Sequence, residues 1–303
     1  MGLFDRAVVR LLPAVPRPVV RRLSLPYIAG ASLDDARRTV ASLNAEGKLA
    51  TVDVLGEEVT RPEEAGTIAT AYHDVLAAID GDRLDANISV KLTALGLKLD
   101  RELCATQLEE LVRAAARRGT FIRIDMEDAT CTDDTLALYR DLRGAGHENV
   151  GIVLQACLKR TLTDIDDLAE LRPNVRICKG IYIEPSSIAF HDDGLIRRSY
   201  TSCVEALLAA ACYVGAATHD EELIQATLER VAGLDPDAYE FQMLLGVRES
   251  RATALVAEGH RLRVYVPFGQ RWYEYSLRRL QENPRIAGYV AKDVVGRVVP
   301  GRS

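Results

Sequence analysis

Charged and polar side chains end several short, β-branched runs of this chain. Parallel strands bring their C-terminal residues to one sheet edge or one barrel mouth. Burying Lys, Asp and Arg together costs several kcal/mol unless they pair or meet a charged ligand. Their convergence therefore predicts a binding site for such a ligand. The residues concerned are Lys91, Asp125, Gln155, Arg176, Lys179, Thr218 and His219.

Two adjacent arginines, Arg278 and Arg279, follow the last run, which contains Tyr265. Arg278 and Glu282 are four residues apart and share one helix face, where an exposed ion pair contributes about 0.3–0.5 kcal/mol. Such an ion pair would account for Arg278 but would give no role to the adjacent Arg279. Guanidinium groups bind carboxylate or phosphate in a bidentate manner, so we expect both arginines and Lys91 to bind such an anion.

Eight β-branched runs alternate with amphipathic segments, such as residues 103–118 and 200–211. This pattern predicts an α/β fold, a (β/α)₈ TIM-type barrel, over residues 46–303. Residues 1–45 are predicted to form an N-terminal helical extension. A doubly wound sheet is disfavoured because the chain has neither GxGxxG nor GxxxxGK[ST]. The runs are residues 49–56, 86–93, 121–127, 150–156, 175–182, 213–219, 239–244 and 263–268.

The composition excludes several classes of protein. A hydrophobic share of 48% and a charged share of 27% are typical of a globular chain with a large core. The net charge of −6 disfavours a nucleic-acid binder. The six cysteines are scattered without a CxxC motif, which disfavours a zinc site or a disulfide framework. Without an apolar membrane span or signal peptide, we expect a cytoplasmic protein.

Seven of the strand segments, with the segments that follow them, resemble in order the motifs of the proline dehydrogenase family, in its single-function bacterial form. The resemblance runs from about residue 52 to Pro284. Family members often have Ala where this chain has Ile181, and an aliphatic residue where it has Cys178. The motifs are SVKLTALG, FIRIDMED, GIVLQACLKR, VRICKGIYIEP, AATHD, YEFQMLLG and RVYVPFG, the last followed by RRLQENP.

The resemblance implies a distorted (β/α)₈ barrel that binds FAD non-covalently. It implies oxidation of L-proline to Δ1-pyrroline-5-carboxylate, with the hydride passing to flavin N5 and the electrons onward to a quinone. Arg176 and Lys179 would stabilise the negative charge of the reduced flavin. A transient contact with the inner face of the plasma membrane is a further expectation. The cofactor-lining residues implied are Met126, Gln155, Arg176, Lys179, Gly180, Ile181, Thr218 and His219.

For the substrate, the resemblance implies a carboxylate clamp of Lys91, Arg278 and Arg279. It places Tyr182 and Tyr265 against the apolar face of the proline ring. Asp125 would hold the basic side chains or set the charge near the substrate amine. Glu57 would pair with Arg278, on the helix face of Glu282, to close the site.

Two other readings compete with this one. A class I aldolase-like barrel would use Lys91 or Lys179 as a Schiff-base nucleophile. Against it, the paired arginines Arg278 and Arg279 and the two basic residues of strand five, Arg176 and Lys179, supply more positive charge than a small aldehyde substrate requires. A scaffold protein that has lost its activity predicts broken polar positions at the mouth, and the sequence retains them.

Overall fold

Eight parallel strands form a closed barrel in chain order, with the last strand paired to the first. The computed structural model describes residues 25–56, 59–273, 275 and 276. The predicted fold class and all eight predicted strands are confirmed. The strands are β1 (Leu49–Val54), β2 (Ala86–Val90), β3 (Ile122–Ile124), β4 (Val150–Gln155), β5 (Asn174–Cys178), β6 (Tyr213–Ala217), β7 (Tyr239–Leu244) and β8 (Leu262–Phe268).

Helices connect the strands on the outside of the barrel. Helix α1 precedes β1, and one helix follows each of the first seven strands. Short 3₁₀ turns occupy Leu25–Tyr27, Ala129–Cys131, Ala169–Leu171 and Pro236–Ala238. The helices are α1 (Leu33–Ala45), α2 (Pro62–Gly81), α3 (Arg101–Ala116), α4 (Thr132–Gly144), α5 (Thr161–Leu168), α6 (Asp193–Ala209), α7 (Glu221–Val231) and α8 (Glu249–Ala257).

Several element bounds differ from the sequence prediction, and two of the differences have a clear local reason. β5 ends at Cys178 rather than at residue 182, because Gly180 has a φ of +96° that interrupts the extended backbone. Helix α6 begins at Asp193, seven residues before the predicted start, because the Asp192 side chain caps it by accepting a hydrogen bond from Leu195 N.

Helix α1 packs against the two strands at which the barrel closes, β1 and β8. Its first turn is held by a capping box between Ser32 and Asp35, and it buries Ala36, Val40 and Leu43. In a regular barrel this position belongs to the helix after β8. The proposed division into an extension over 1–45 and a barrel over 46–303 stays a prediction.

The inner face of the barrel is polar, whereas the outer faces of the strands are apolar. In β1 the apolar Val52 alternates with the buried polar residues Thr51 and Asp53. Successive side chains of a strand point to opposite faces, so each polar series faces the barrel interior. Barrel interiors are more often filled by Val, Ile and Leu. The other buried polar strand residues are Asn87, Ser89, Arg123, Gln155, Arg176, Glu240 and Gln242.

None of the helices in the described part of the chain is both long and apolar enough to span a bilayer.

Candidate active site

A cavity of about 400 Å³ opens at the C-terminal ends of the strands. Every sequence-predicted site residue that the structure describes lines it, so residues from six different strands and their following loops converge there. They are Lys91, Asp125, Met126, Gln155, Arg176, Lys179, Gly180, Ile181, Tyr182, Thr218, His219 and Tyr265.

Lys91 follows β2 and is held by a carboxylate on the neighbouring strand. Its Nζ donates to Asp53 Oδ2 at 2.7 Å and to the Tyr265 hydroxyl at 3.1 Å. Asp53 has no exposed surface, and its Oδ1 accepts a hydrogen bond from Tyr72 of α2 at 3.0 Å. Burial, with the Asp53 charge, raises the pKa of Tyr72 well above its usual value, so this phenol stays a donor.

Asp125 joins two cations that line the cavity, Arg176 and Lys91. Its Oδ1 accepts hydrogen bonds from Arg176 Nη1 at 2.7 Å and from Ser89 Oγ at 2.6 Å. Its Oδ2 accepts one from the Tyr265 hydroxyl at 3.0 Å and lies 3.7 Å from Lys91 Nζ. Burial acts to raise the pKa of Asp125, but Arg176 and Lys91 outweigh it and hold this pKa below the usual carboxyl value.

Arg176 presents one side of its guanidinium group to the cavity. Nε donates to Gln242 Oε1, and Nη1 donates to Asp125 and Ser89. Among the described residues, none accepts a hydrogen bond from Nη2. A molecule in the cavity therefore meets a positively charged donor whose other nitrogens are already engaged.

Lys179 lies at the cavity rim in a second ion-pair cluster. Its Nζ donates to Asp220 Oδ2 at 2.5 Å, and Arg197 Nε donates to the same oxygen at 2.7 Å. Burial acts to raise the pKa of Asp220, but hydrogen bonds from both cations lower it. Asp220 also caps α7, so it connects the rim cations to a rigid element.

Two further lining residues are held by backbone groups. Gln155 Nε2 donates to the carbonyl oxygen of Glu127 at 2.8 Å. His219 Nε2 accepts a hydrogen bond from Leu244 N at 2.9 Å, so the neutral imidazole carries its proton on Nδ1. Ile181 is 53% exposed, the most open of the predicted lining residues.

Four predicted residues lie outside the described residues: Glu57, Arg278, Arg279 and Glu282. The clamp arginines and the closing pair of Glu57 and Arg278 therefore stay predictions.

The sequence prediction missed several residues that hold the predicted ones. Asp53, Tyr72, Ser89 and Gln242 all bond directly to a predicted residue or to its partner. The signal available for the three strand residues was the alternation of polar with β-branched residues, as in LATVDV and ANISV. Tyr72 gave no such signal, because its neighbours on α2 are ordinary core residues.

Comparison with known proteins decides the family. The sequence profile described as proline dehydrogenase matches residues 36–292. The chain belongs to the proline dehydrogenase family. Proline dehydrogenase 1 from Bacillus subtilis subsp. natto is 37% identical to it over 271 residues, which are 89% of each chain. The proline dehydrogenase of Deinococcus radiodurans is 36% identical over 307 residues, covering 97% of this chain and 98% of that one.

Solved structures show the same fold. Proline utilization A (PutA) from Bdellovibrio bacteriovorus, inactivated by N-propargylglycine, matches 93% of this chain with a TM-score of 0.82 and 22% identity. This proline dehydrogenase family member corresponds to only 36% of the length of that PutA chain. A PutA variant from Bradyrhizobium japonicum matches 88% of this chain with a TM-score of 0.76.

Proposed function

We propose that this proline dehydrogenase family member binds FAD in the barrel mouth and uses it to oxidise L-proline to Δ1-pyrroline-5-carboxylate. The observation that carries the proposal is the cavity in which Lys91 and Arg176 meet at the Asp125 carboxylate. In the overall reaction the substrate loses a hydrogen from C5 and one from nitrogen, and a C5=N double bond forms. The two electrons and two protons finally pass to a quinone.

The donor set at the cavity fits a flavin. The cavity volume of about 400 Å³ lies within the range of about 300–1,000 Å³ that is usual for small-molecule sites. Nη2 of Arg176 and the ammonium of Lys179 supply positive charge at a face that also offers apolar contacts from Met126 and Ile181. We propose that these four residues hold the cofactor, together with Gln155, Gly180, Thr218 and His219. FAD, when bound, supplies the two-electron acceptor that the reaction requires.

Lys91 is the described cation that would bind the proline carboxylate. Asp53 and Asp125 hold its ammonium from the protein side, which fixes the position of the donor before the substrate arrives. Such preorganisation reduces the cost of aligning C5 for hydride loss. Arg278 and Arg279 would complete this clamp, with Glu57 closing the site over the substrate.

Tyr265 would orient the substrate ring while its hydroxyl stays protonated. Burial, with the Asp125 charge, raises the pKa of Tyr265 well above its usual value. Its hydroxyl is engaged by Lys91 and Asp125, and Arg176 Cζ lies 5.4 Å from the centroid of its ring. Tyr182, which also lines the cavity, would contact the apolar side of proline together with the Tyr265 ring.

The geometry disfavours the aldolase alternative. A Schiff-base nucleophile must be a neutral amine, whereas Lys91 contacts two carboxylates that favour the ammonium. Lys179 is paired with Asp220 in the same manner. Borohydride reduction in the presence of a carbonyl substrate should therefore attach no substrate to the protein.

Anaerobic absorption spectroscopy tests the proposed function. The purified protein, or protein reconstituted with FAD, is expected to show an oxidised flavin spectrum that bleaches when L-proline is added. A ubiquinone analogue should then restore the oxidised spectrum. A protein that takes up no FAD, or whose bound flavin is unaffected by L-proline, contradicts the proposal.

Vesicle co-sedimentation tests the proposed contact with membranes. We propose a transient association with the bilayer surface, where the quinone is available. A fraction of the protein should sediment with phospholipid vesicles that contain a quinone, and the absence of any protein in the vesicle pellet would contradict this part of the proposal.

A further inference from the structure

We infer that Gln242 and Glu240 position Arg176, and that Gly215 provides the space that allows them to do so. The inference rests on the proposed function, because it assigns positioning residues to the cation that would face the cofactor. None of the three residues was predicted from the sequence.

Gln242 bridges Arg176 on β5 and Glu240 on β7. Its Oε1 accepts a hydrogen bond from Arg176 Nε at 2.5 Å, and its Nε2 donates to Glu240 Oε1 at 2.5 Å. An ionised carboxylate only accepts hydrogen bonds, so the amide nitrogen must face Glu240 and the amide oxygen must face Arg176. Glu240 therefore determines the orientation of the amide that holds Arg176.

Glu240 is itself fixed on the floor of the barrel. It is 1% exposed, and Arg263 Nε donates to its Oε1 at 2.8 Å. Arg263 also donates to the carbonyl oxygen of Ala50 at 2.7 Å, which ties the group to β1. Burial acts to raise the pKa of Glu240, but Arg263 outweighs it and keeps the carboxylate ionised.

Gly215 lies where the Gln242 side chain must cross a strand. β6 separates β5 from β7, and its Gly215 is paired with Arg176 on one side and with Glu240 on the other. A Cβ atom at position 215 would lie 2.5 Å from Gln242 Nε2 and 3.0 Å from Gln242 Cδ. A side chain there would displace the amide, so the glycine permits a contact between two strands that are not neighbours.

The consequence concerns the donor that Arg176 offers to the cavity. Gln242 holds Nε and Asp125 holds Nη1, and these two bonds together fix the plane of the guanidinium group. With that plane fixed, Arg176 would not need to reorganise to direct Nη2 at the negative charge that develops on the cofactor during reduction. Loss of the Gln242 bond would leave the group free to rotate about the Asp125 contact.

The flavin midpoint potential tests this inference. Gln242→Leu and Glu240→Gln should retain FAD but lower the midpoint potential, because the positioned cation favours reduced over oxidised flavin. A tenfold loss of that preference corresponds to about 30 mV for a two-electron couple. Gly215→Ala should act in the same direction. If Gln242→Leu does not fold, Gln242→Asn, which is too short to reach both partners, replaces it.

Two controls separate positioning of Arg176 from a general structural effect. Gln107→Leu is the same substitution at a buried position on α3, where Gln107 Nε2 donates to Leu95 O, and it should keep the wild-type potential. In an Arg176→Met background, Gln242→Leu should cause no further shift. Wild-type potentials in both Gln242→Leu and Glu240→Gln overturn the inference, as does a full shift in the Arg176→Met background. Failure of the wild-type protein to bind FAD instead contradicts the proposed function.

Discussion

At the scale of single residues, the site is organised by carboxylates that hold cations. Asp53 holds Lys91, Asp125 joins Lys91 to Arg176, and Asp220 holds Lys179. Each buried charge is thereby compensated before any ligand binds, which limits the desolvation cost of the site. The carboxylates also fix the positions of the donors, so the effect of substitution should depend on which partner is removed.

Lys91→Met should weaken proline binding strongly while FAD stays bound. Truncating one partner of a buried, hydrogen-bonded charge pair costs about 2–5 kcal/mol, which is roughly 30-fold or more in affinity. The measurement is the proline concentration that half-reduces the flavin anaerobically. Lys98→Met, which removes an exposed lysine paired with Asp128, is the matched control. Equal half-reduction concentrations in the two variants would show that the carboxylate binds elsewhere.

Asp125 should make folding stability depend on pH in the acid range. Its pKa is lowered in the folded protein, so its stabilising contribution is present above the unfolded value of about 3.9 and is lost as pH falls through the lowered folded pKa. The free energy of unfolding should therefore rise with pH below about pH 4. Asp125→Asn should flatten that rise in urea titrations between pH 2 and 6, and an unchanged slope would contradict the assignment.

At the scale of elements, glycines in two strands allow long side chains to cross the barrel interior. Gly215 of β6 is one. Gly151 of β4 is the other, because Arg123 of β3 passes over it to donate to Asn174 O of β5 at 2.6 Å. The barrel thus contains polar contacts between strands that are separated by a third strand. Such contacts link strands that share no backbone hydrogen bonds with each other.

Gly151→Ala should destabilise the fold markedly. A Cβ atom at position 151 would lie 2.4 Å from Asn174 O and 2.7 Å from Arg123 Nη1, so it would displace the hydrogen bond between these two atoms. Overpacking and a disturbed hydrogen bond to a buried charged group together predict a loss of about 3 kcal/mol. Chemical denaturation measures it. Gly66→Ala is the control, because no atom lies within 4 Å of its built Cβ in α2, and it should stabilise by about 0.5–1 kcal/mol.

The strands and helices were predictable because their hydrophobic patterns are local in the sequence. The hydrogen-bond network inside the barrel was not predictable, because it joins residues that are far apart in the sequence. Strand ends identified Lys91, Asp125 and Arg176. Asp53 and Gln242 lie within strands, where the sequence alone does not distinguish a polar residue that faces the barrel interior from one that faces solvent. Only the closed barrel, with helices over its outer face, shows that both sheet faces are covered. Asp220 was missed because its cap position gave no indication that Lys179 and Arg197 would meet there.

At the scale of the whole molecule, α1 packs against the first and last strands of the barrel although it precedes β1. It covers the seam between β1 and β8 and buries Val40 completely. A helix with this much buried surface should unfold together with the strands, and its loss should expose the seam.

Val40→Ala should lower the free energy of unfolding of the whole molecule by about 2 kcal/mol, because truncation of a fully buried aliphatic side chain leaves a cavity. Unfolding followed by far-UV circular dichroism and by the fluorescence of Trp272 should shift together. Ser42→Ala, at an exposed position of α1, should change stability by less than about 0.5 kcal/mol. Separate transitions for the two probes would show that α1 unfolds independently.

The position of α1 also has a consequence for the order of events during synthesis. The helix leaves the ribosome before the strands of the barrel, yet the groove that it fills is complete only once β8, which begins at Leu262, has been made. Its contacts with β8 therefore join distant parts of the chain, and contacts of high sequence separation form slowly. Until then the apolar face of Ala36, Val40 and Leu43 lacks part of its final partner, and a nascent chain in that state is exposed to aggregation.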